Sequence, residues 1–416
     1  MAEELQSRVP QPDQDTIRYE TFTGLRNDRP IERFEHTDLA AGTNIDIDNS
    51  GAIARRPGYT PTAITTATHS VWSDNTQCLL VNGGVLNSVS STYALTPLKT
   101  LTDATARVSY AKINNRVYLA SEKDTGVVEN GIARTWGIQV PPLPGVSVTV
   151  GNMSAGAYQF VVTYVRADGQ ESGATLAGRV DVVDGSGINF AMPVSTDPGV
   201  TGKNLYLSTP NGDVMYLAMR VPNTQLTALY NGTTLELNLP LLTQFLGPAP
   251  TGQLVVYYSG HLFVASGDML YPSEPLALEL FDLRKGIAMD GRITMAASME
   301  DKERQGVQQG MDSGLFMGTD RSCGVLIGKD DFQYVPKIDY GAIEGAMAYV
   351  DGSLYGDNAA GARLLPMWLT SQGICVGLPQ MNIKNLTRTR YGFTAAGKGS
   401  GIFQPGPNKL ILTSNF

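Results

Sequence analysis

Apolar and polar positions along this chain repeat in a short unit: three or four apolar residues followed by a small or hydroxyl-bearing one. Val117-Tyr118-Leu119-Ala120-Ser121, Leu262-Phe263-Val264-Ala265-Ser266 and Leu315-Phe316-Met317-Gly318-Thr319 are the clearest copies. Leu354-Tyr355-Gly356-Asp357 is a shortened copy, and Leu79-Leu80-Val81-Asn82 and Leu410-Ile411-Leu412-Thr413-Ser414 are weaker relatives. Asn114-Asn115, Ser259-Gly260, Ser313-Gly314 and Asp351-Gly352 precede four of them. Such pairs supply the positive φ of a tight hairpin, so each unit reads as a strand entered from a turn. The copies start at 79, 117, 262, 315, 354 and 410, with gaps of 38, 145, 53, 39 and 56 residues. Apart from the long gap, this is close to the roughly 40–50 residues of a four-stranded propeller blade. The pattern predicts an all-β chain with a β-propeller of about six blades.

The 145-residue gap between the second and third copies predicts an insertion. Pro141-Pro142-Leu143-Pro144-Gly145 and Gly247-Pro248-Ala249-Pro250 bound it as stiff linkers, because proline holds the chain extended. Between them Ala157–Val165 is a long β-branched and aromatic run, Asp168-Gly169 turns the chain, and two further runs hinge on Asn211-Gly212. About seven strands at this spacing are expected to form a small immunoglobulin- or fibronectin-like β-sandwich. The expected organisation is an N-terminal arm over 1–42, propeller over 43–142 and 246–416, and sandwich over 143–245. Within the first part, Ile45 and Ile47 alternate with polar residues and Asn49-Ser50-Gly51 turns the chain back through Ala52–Arg56. That hairpin is expected to pair with the last strand, Lys409 to Ser414, and close the ring.

Composition narrows the function classes. Gly 45 and Pro 23 in 416 residues suit many short strands joined by turns. A net charge of −8 argues against a protein that grips phosphates, since such proteins cluster Lys and Arg. Residues 1–20 are polar with five acids, unlike a signal peptide, and no apolar run approaches the ~18 residues of a membrane span. Cys78, Cys323 and Cys375 are odd in number and far apart, which reads as free thiols of a reducing compartment.

A catalytic constellation is not legible. His36, His69 and His261 are isolated from one another and from the cysteines, so no zinc spacing exists; His261 reads as a turn or surface residue. There is no phosphate-binding glycine loop with Lys-Ser/Thr and no Gly-x-Ser-x-Gly elbow. Asp330-Asp331 reads as a solvated pair, and Asp168–Ser172 is a weak calcium-loop candidate. The expectation is a non-enzymatic protein with no metal and no cofactor, although a two-carboxylate glycosidase stays open because its pairing is invisible in sequence. The residues singled out instead are interface candidates: Arg26, Arg29, Arg33 and Phe34 in one patch, and Arg55, Arg56 and Tyr59 in another. Arginine and tyrosine combine contact area with directed hydrogen bonds, which favours them at interfaces.

Gly24–Asp28 through Arg33-Phe34, Asp38–Gly51 and Arg55–Tyr59 resemble the N-terminal region of the tail nozzle, hub or tail-stabilisation proteins of short-tailed bacteriophages. Gly-x-Ile-x-Arg-Arg-Pro-Gly-Tyr, Gly51 to Tyr59, is the most specific part. Tyr110–Tyr118 with Trp136-Gly137, Asp168–Ser172 and Tyr271–Pro275 are supporting pieces. The resemblance implies a virion protein made in the host cytoplasm that forms a homohexameric ring in the tail. Its implied neighbours are the portal and adaptor above and fibre, spike or needle proteins around it, and its implied task is to seal the tail and conduct genomic DNA during ejection. The family carries no catalytic motif to this chain. An acidic conduit suits that task, because basic contacts with phosphates would retain DNA. Two other classes fit a propeller with a sandwich: an adhesin or carbohydrate-binding protein, and a glycosidase-like propeller.

Overall fold

The structure, a computed structural model, describes residues 20–48, 50–58, 60, 64, 67–74, 76–174, 176–232, 235–299, 314–328, 331–355, 364–392 and 396–415. Among them every regular element is a β-strand or a short 3-10 turn, with no α-helix. The chain is all-β, as the strand-and-turn pattern predicts.

Five antiparallel sheets of four strands follow one another along the chain. Sheet A comprises Thr68–Ser73, Cys78–Asn82, Val85–Val89 and Leu95–Thr100, and sheet B comprises Ser109–Ile113, Arg116–Ala120, Thr125–Glu129 and Ile132–Arg134. Leu254–Tyr258, His261–Ser266, Met269–Glu274 and Ala277–Phe281 form sheet C, where Ile287–Ala288 also joins the third strand. Sheet D is built from Ile293–Met299, Gly314–Thr319, Cys323–Ile327 and Gln333–Ile338. Ala342–Asp351, Leu364–Thr370, Gly373–Leu378 and Asn382–Asn385 make sheet E, which a C-terminal hairpin, Ala396–Gln404 and Lys409–Asn415, extends through a parallel bridge at Glu344 and Lys398.

The recurring unit is the second strand of sheets A to D, and its alternation explains why it reads as a continuous apolar run. Val117 and Leu119 pack with Leu79 and Val81 of sheet A, whereas Tyr118 and Ala120 pack with Leu262 and Val264 of sheet C. Phe263 and Ala265 turn the other way, onto Leu315 and Met317 of sheet D, and Phe316 faces Trp368 of sheet E. Both faces of each middle sheet are thus buried, and at about 25 cal/mol per Å² this two-sided burial dominates stability. The terminal hydroxyl closes the next hairpin: Ser121 Oγ accepts from the Asp124 N–H at 2.9 Å and Thr319 Oγ1 from that of Ser322 at 2.9 Å. Thr370 Oγ1 does the equivalent in sheet E, donating to the Gly373 carbonyl at 2.7 Å. First strands also meet in chain order: that of sheet B lies against that of C, C against D, and D against E.

Three expectations need correction. Leu354 and Tyr355 are not in a strand but in the 3-10 turn Gly352–Tyr355; residues 356 and 357 lie outside the described residues. Asp351 Oδ1 accepts from the Ser353 N–H and hydroxyl at 2.9 and 2.8 Å, and this local turn competes with extension. The second strand of sheet E is Leu364–Thr370 instead. Leu410–Ser414 does form strand, but within the added hairpin rather than a four-stranded sheet of its own. Finally, the hairpin Ile45–Ile47 and Ile53–Arg55 pairs only with itself. It meets the last strand through side chains, Lys409 Nζ to Asp46 Oδ1 at 2.6 Å, in place of a backbone ladder.

Residues 145–240 form two sheets whose strands pair among themselves. Gly145–Met153, Ser186–Ala191 and Thr227–Tyr230 make one; Gly178–Val182, Gly156–Arg166, Val200–Ser208, Met215–Pro222 and Glu236–Pro240 make the other. Phe160, Ile188, Phe190, Leu205 and Leu207 fill the space between them, with Phe160 and Phe190 edge to face at 5.4 Å. Where the chain leaves sheet B and re-enters sheet C the two connections touch, the Ala249 N–H donating to the Trp136 carbonyl at 3.3 Å. Gly137, at φ +84, is wedged there, and a Cβ would stand 2.6 Å from the Glu279 carbonyl oxygen and 2.8 Å from Pro248.

Candidate functional site

The densest polar constellation lies where the 145–240 sheets meet sheets B and C. Arg116 and Glu129 are cross-strand partners in sheet B and pair at 2.9 Å. Arg134, also of sheet B, forks onto Glu279 of sheet C, with contacts of 2.7 and 2.6 Å. Arg166, at the end of the long strand Gly156–Arg166, completes the cluster. Its Nη1 reaches Glu279 at 3.0 Å and its Nη2 reaches Asp197 at 2.9 Å and Thr135 Oγ1 at 2.8 Å. The Gly137 N–H donates to Glu279 at 3.1 Å. Arg166 Nε is buried without a hydrogen-bond partner.

Side-chain exposures of 5% for Arg166 and 4% for Glu279 put this pair beyond solvent screening. Burial pushes the Glu279 pKa upward, but Arg134, Arg166 and the Gly137 N–H outweigh it and hold the carboxyl below its usual value. Asp197 is likewise held low against its burial, by the Gly199 N–H and Arg166. Deleting one member of such a buried network strands the charge of the others. Chemically the cluster is a clamp: Arg134, Arg166 and, at 3.6 Å, Arg116 share one glutamate, Glu279.

In front of the clamp opens a cleft of about 750 Å³ lined by Asn114–Arg116, Asp168–Glu171 and Leu276–Leu280. Glu171 is tied down by Tyr206 at 2.9 Å, Asn204 at 3.0 Å and Thr163. Asp168 is 46% exposed and reaches Arg116 only at 3.8 Å. Thr243 Oγ1, also in the lining, has no hydrogen-bond partner. Among the described residues no group of three His, Cys, Asp or Glu side chains is arranged to hold a metal ion.

The sequence-derived interface residues divide into braces and exposed groups. Arg26 pairs with Asp28 at 2.7 Å and Asp38 at 3.0 Å, and Asp38 also meets Arg390 at 3.3 Å. With Asn27 donating its N–H to the Arg390 carbonyl, this fixes the first described residues to the segment after sheet E. Arg56 braces Asp46 at 3.1 Å, and Arg29 lies 3.4 Å from Asp28. Phe34 is half-buried, Arg33 and Arg55 are exposed, and Tyr59 lies outside the described residues. These positions do not converge on the clamp.

His261 is not at the surface. It is buried, bonds the Ser259 carbonyl through Nδ1 at 2.8 Å and meets Phe332 edge-on at 5.3 Å, so it belongs to the core of sheets C and D. Asp330 lies outside the described residues. All three cysteines are free; burial pushes the Cys323 thiol up to about 12 and the Cys375 thiol up to about 11. No helix is long and apolar enough to cross a membrane among the described residues.

No protein-family model matches the chain, and no curated protein matches it. Among solved structures it is similar to the extracellular domain of the putative hybrid two-component system BT4673 from B. thetaiotaomicron, at 12% identity and a TM-score of 0.25. The match covers 88% of this chain and 60% of that one. At that score the overlap bears on neither fold nor function.

Proposed function

We propose that the chain is a structural subunit of a short-tailed phage: a tail nozzle or hub protein that assembles as a homo-oligomeric ring, a hexamer on the family's pattern. In this reading the ring extends and seals the tail below the portal and adaptor and passes DNA without gripping it. Sheets A to E are five blades of a propeller, and the C-terminal hairpin with the N-terminal hairpin beside it supplies the sixth. The sandwich of 143–245 is a module inserted between the second and third blades, and 1–42 is an arm.

The observation that carries the reading is the clamp. The most buried carboxylate of the cleft, Glu279, is committed to Arg134 and Arg166, which tie the sandwich to sheets B and C. Charge spent in this way gives a stiff subunit, which a conduit under packaging pressure requires. The first-strand contacts of neighbouring sheets and Arg107 support the propeller geometry. Arg107, between sheets A and B, donates to the Glu344 carbonyl at 3.2 Å and to the Gly399 carbonyl, linking the first sheets to the last. The resemblance at Gly51 to Tyr59 and the net charge of −8 support the tail assignment and the DNA-passing role.

Electron cryomicroscopy of particles tests it. Density for this chain should encircle the tail axis below the connector, with mostly acidic or neutral side chains toward the lumen, and particles lacking the protein should leak packaged DNA. A chain found on peripheral fibres and binding a host glycan would replace this reading with that of an adhesin.

A further inference from the structure

The N-terminal hairpin and the cleft carry complementary surfaces. Ile47 opposes Ile53 and Ile45 opposes Arg55, so alternation places these four on one face and Asp46 with Ala54 on the other. Ile47, Ile53 and Arg55 are exposed, and Asp46 is turned to Arg56 and Lys409. The hairpin therefore presents a guanidinium beside two isoleucines with no carboxylate on that face.

The cleft offers the counterpart. Asp168 stands exposed at its wall: its Oδ1 accepts from the Gln170 N–H at 3.1 Å, and Arg116 lies 3.8 Å away with its own charge met by Glu129 at 2.9 Å. Glu171, without a cation among its contacts at 2.9 Å and 3.0 Å, adds a second carboxylate. On the rim Leu276 is 84% exposed and held at φ +58, a conformation that a leucine adopts only under constraint. A leucine kept both strained and exposed next to unspent acid is what an apolar-flanked cation would meet.

We propose that the Arg55–Ile53 face of one copy docks into this cleft of a second copy, with Arg55 reaching Asp168 and Ile53 covering Leu276. The proposal rests on the ring reading and names its contact surfaces. Hairpin and cleft are different patches, so the contact is head-to-tail, and repeated it closes a ring wherever its rotation divides the circle. With each copy at −8, a meeting point of opposite local charge also offsets the repulsion between copies.

Sedimentation velocity of the full chain across concentration, at low and moderate salt, tests the contact. Arg55→Glu and Asp168→Asn should each weaken self-association at least tenfold while circular dichroism and thermal unfolding stay at wild-type values; Asp168→Asn keeps the side-chain oxygen that accepts from the Gln170 N–H. The charge swap R55E with D168R in one chain should restore association, whereas mixing R55E with D168N should restore one contact per pair and stop at the dimer. If the wild type associates and the variants associate equally well, the contact is overturned and the ring stands. If the wild type stays monomeric at every concentration, the contact falls, and the ring is decided by the density in particles. Association lost in the single variants but not regained in the swap also overturns the pairing.

Discussion

Arg166 and Glu279 stand 113 positions apart in the chain and meet at 3.0 Å in a buried clamp that also takes in Arg134. This contact joins the sheets of residues 145–240 to sheet C, so most expected behaviour of the clamp follows from it.

Arg166→Ala should destabilise the chain by about 3–5 kcal/mol, because the change leaves Glu279 and Asp197 short of a partner in a buried place. Chemical denaturation reads the loss. The double variant R166M with E279M also strands Arg134, Asp197 and the Gly137 N–H, so it should lose at least as much as R166A. A deficit within about 0.5 kcal/mol for R166A would mean that the clamp adds nothing to stability.

The same clamp sets an acid limit. The folded-state pKa of Glu279 lies below its usual value of 4.5, so its contribution is fully present above that value and is lost as the pH falls through the depressed pKa. Stability measured from pH 6 downward should fall below about pH 4.5. In Glu279→Gln that fall should be shallower, on a baseline already lower at pH 7.

Leu276→Gly separates strain from contact. An exposed leucine at positive φ costs roughly 1–2 kcal/mol, while glycine at a free position costs about 0.5–1 kcal/mol in chain entropy. The substitution should therefore raise stability by about 0.5–1 kcal/mol and, by removing the apolar rim of the cleft, weaken self-association. Opposite signs in thermal unfolding and sedimentation are the expected outcome.

Thr319→Val keeps shape and removes the hydroxyl that accepts from the N–H groups of Ser322 and Arg321 at 2.9 and 3.1 Å. Thr319 is fully buried, so the orphaned donors should cost about 1–3 kcal/mol in urea denaturation. Ser266→Ala should cost less than that, because the equivalent turn in sheet C is held by Gln253 Oε1 accepting from the Gly267 N–H at 3.0 Å.

The second strands at Leu79, Val117, Leu262 and Leu315 were legible because two-sided burial leaves a continuous apolar run, closed in three of the four by a hydroxyl residue. The fifth was not. Leu364–Thr370 carries Pro366, which normally argues against a strand interior, while Asp351-Gly352 nearby imitated a hairpin start and instead folded as a local turn. Length and flanking prolines set 143–245 apart in the sequence, and the strands of 145–240 pair among themselves. The clamp left no trace in sequence, since Arg134 and Arg166 lie 145 and 113 residues from Glu279 and each looks like an ordinary surface charge. For the same reason Arg26 and Arg56 drew notice as contact residues when their carboxylate partners Asp38 and Asp46 sit 12 and 10 residues away. Pairing across such separations is set by folding, not by spacing.

The hydrogen bond from Ala249 to Trp136 has a consequence for how the chain tolerates change. It pins the stem of a loop more than a hundred residues long, so the sheets on either side meet as if that loop were a tight turn. Closure entropy grows only with the logarithm of loop length, about 0.6 kcal/mol per doubling, and here the native stem already sets the geometry. What the stem carries is therefore exchangeable only for a unit that, with a similar spacing between its ends, also brings a cation to Glu279 in place of Arg166. What must be kept is glycine at 137, the point through which both crossings of the stem pass.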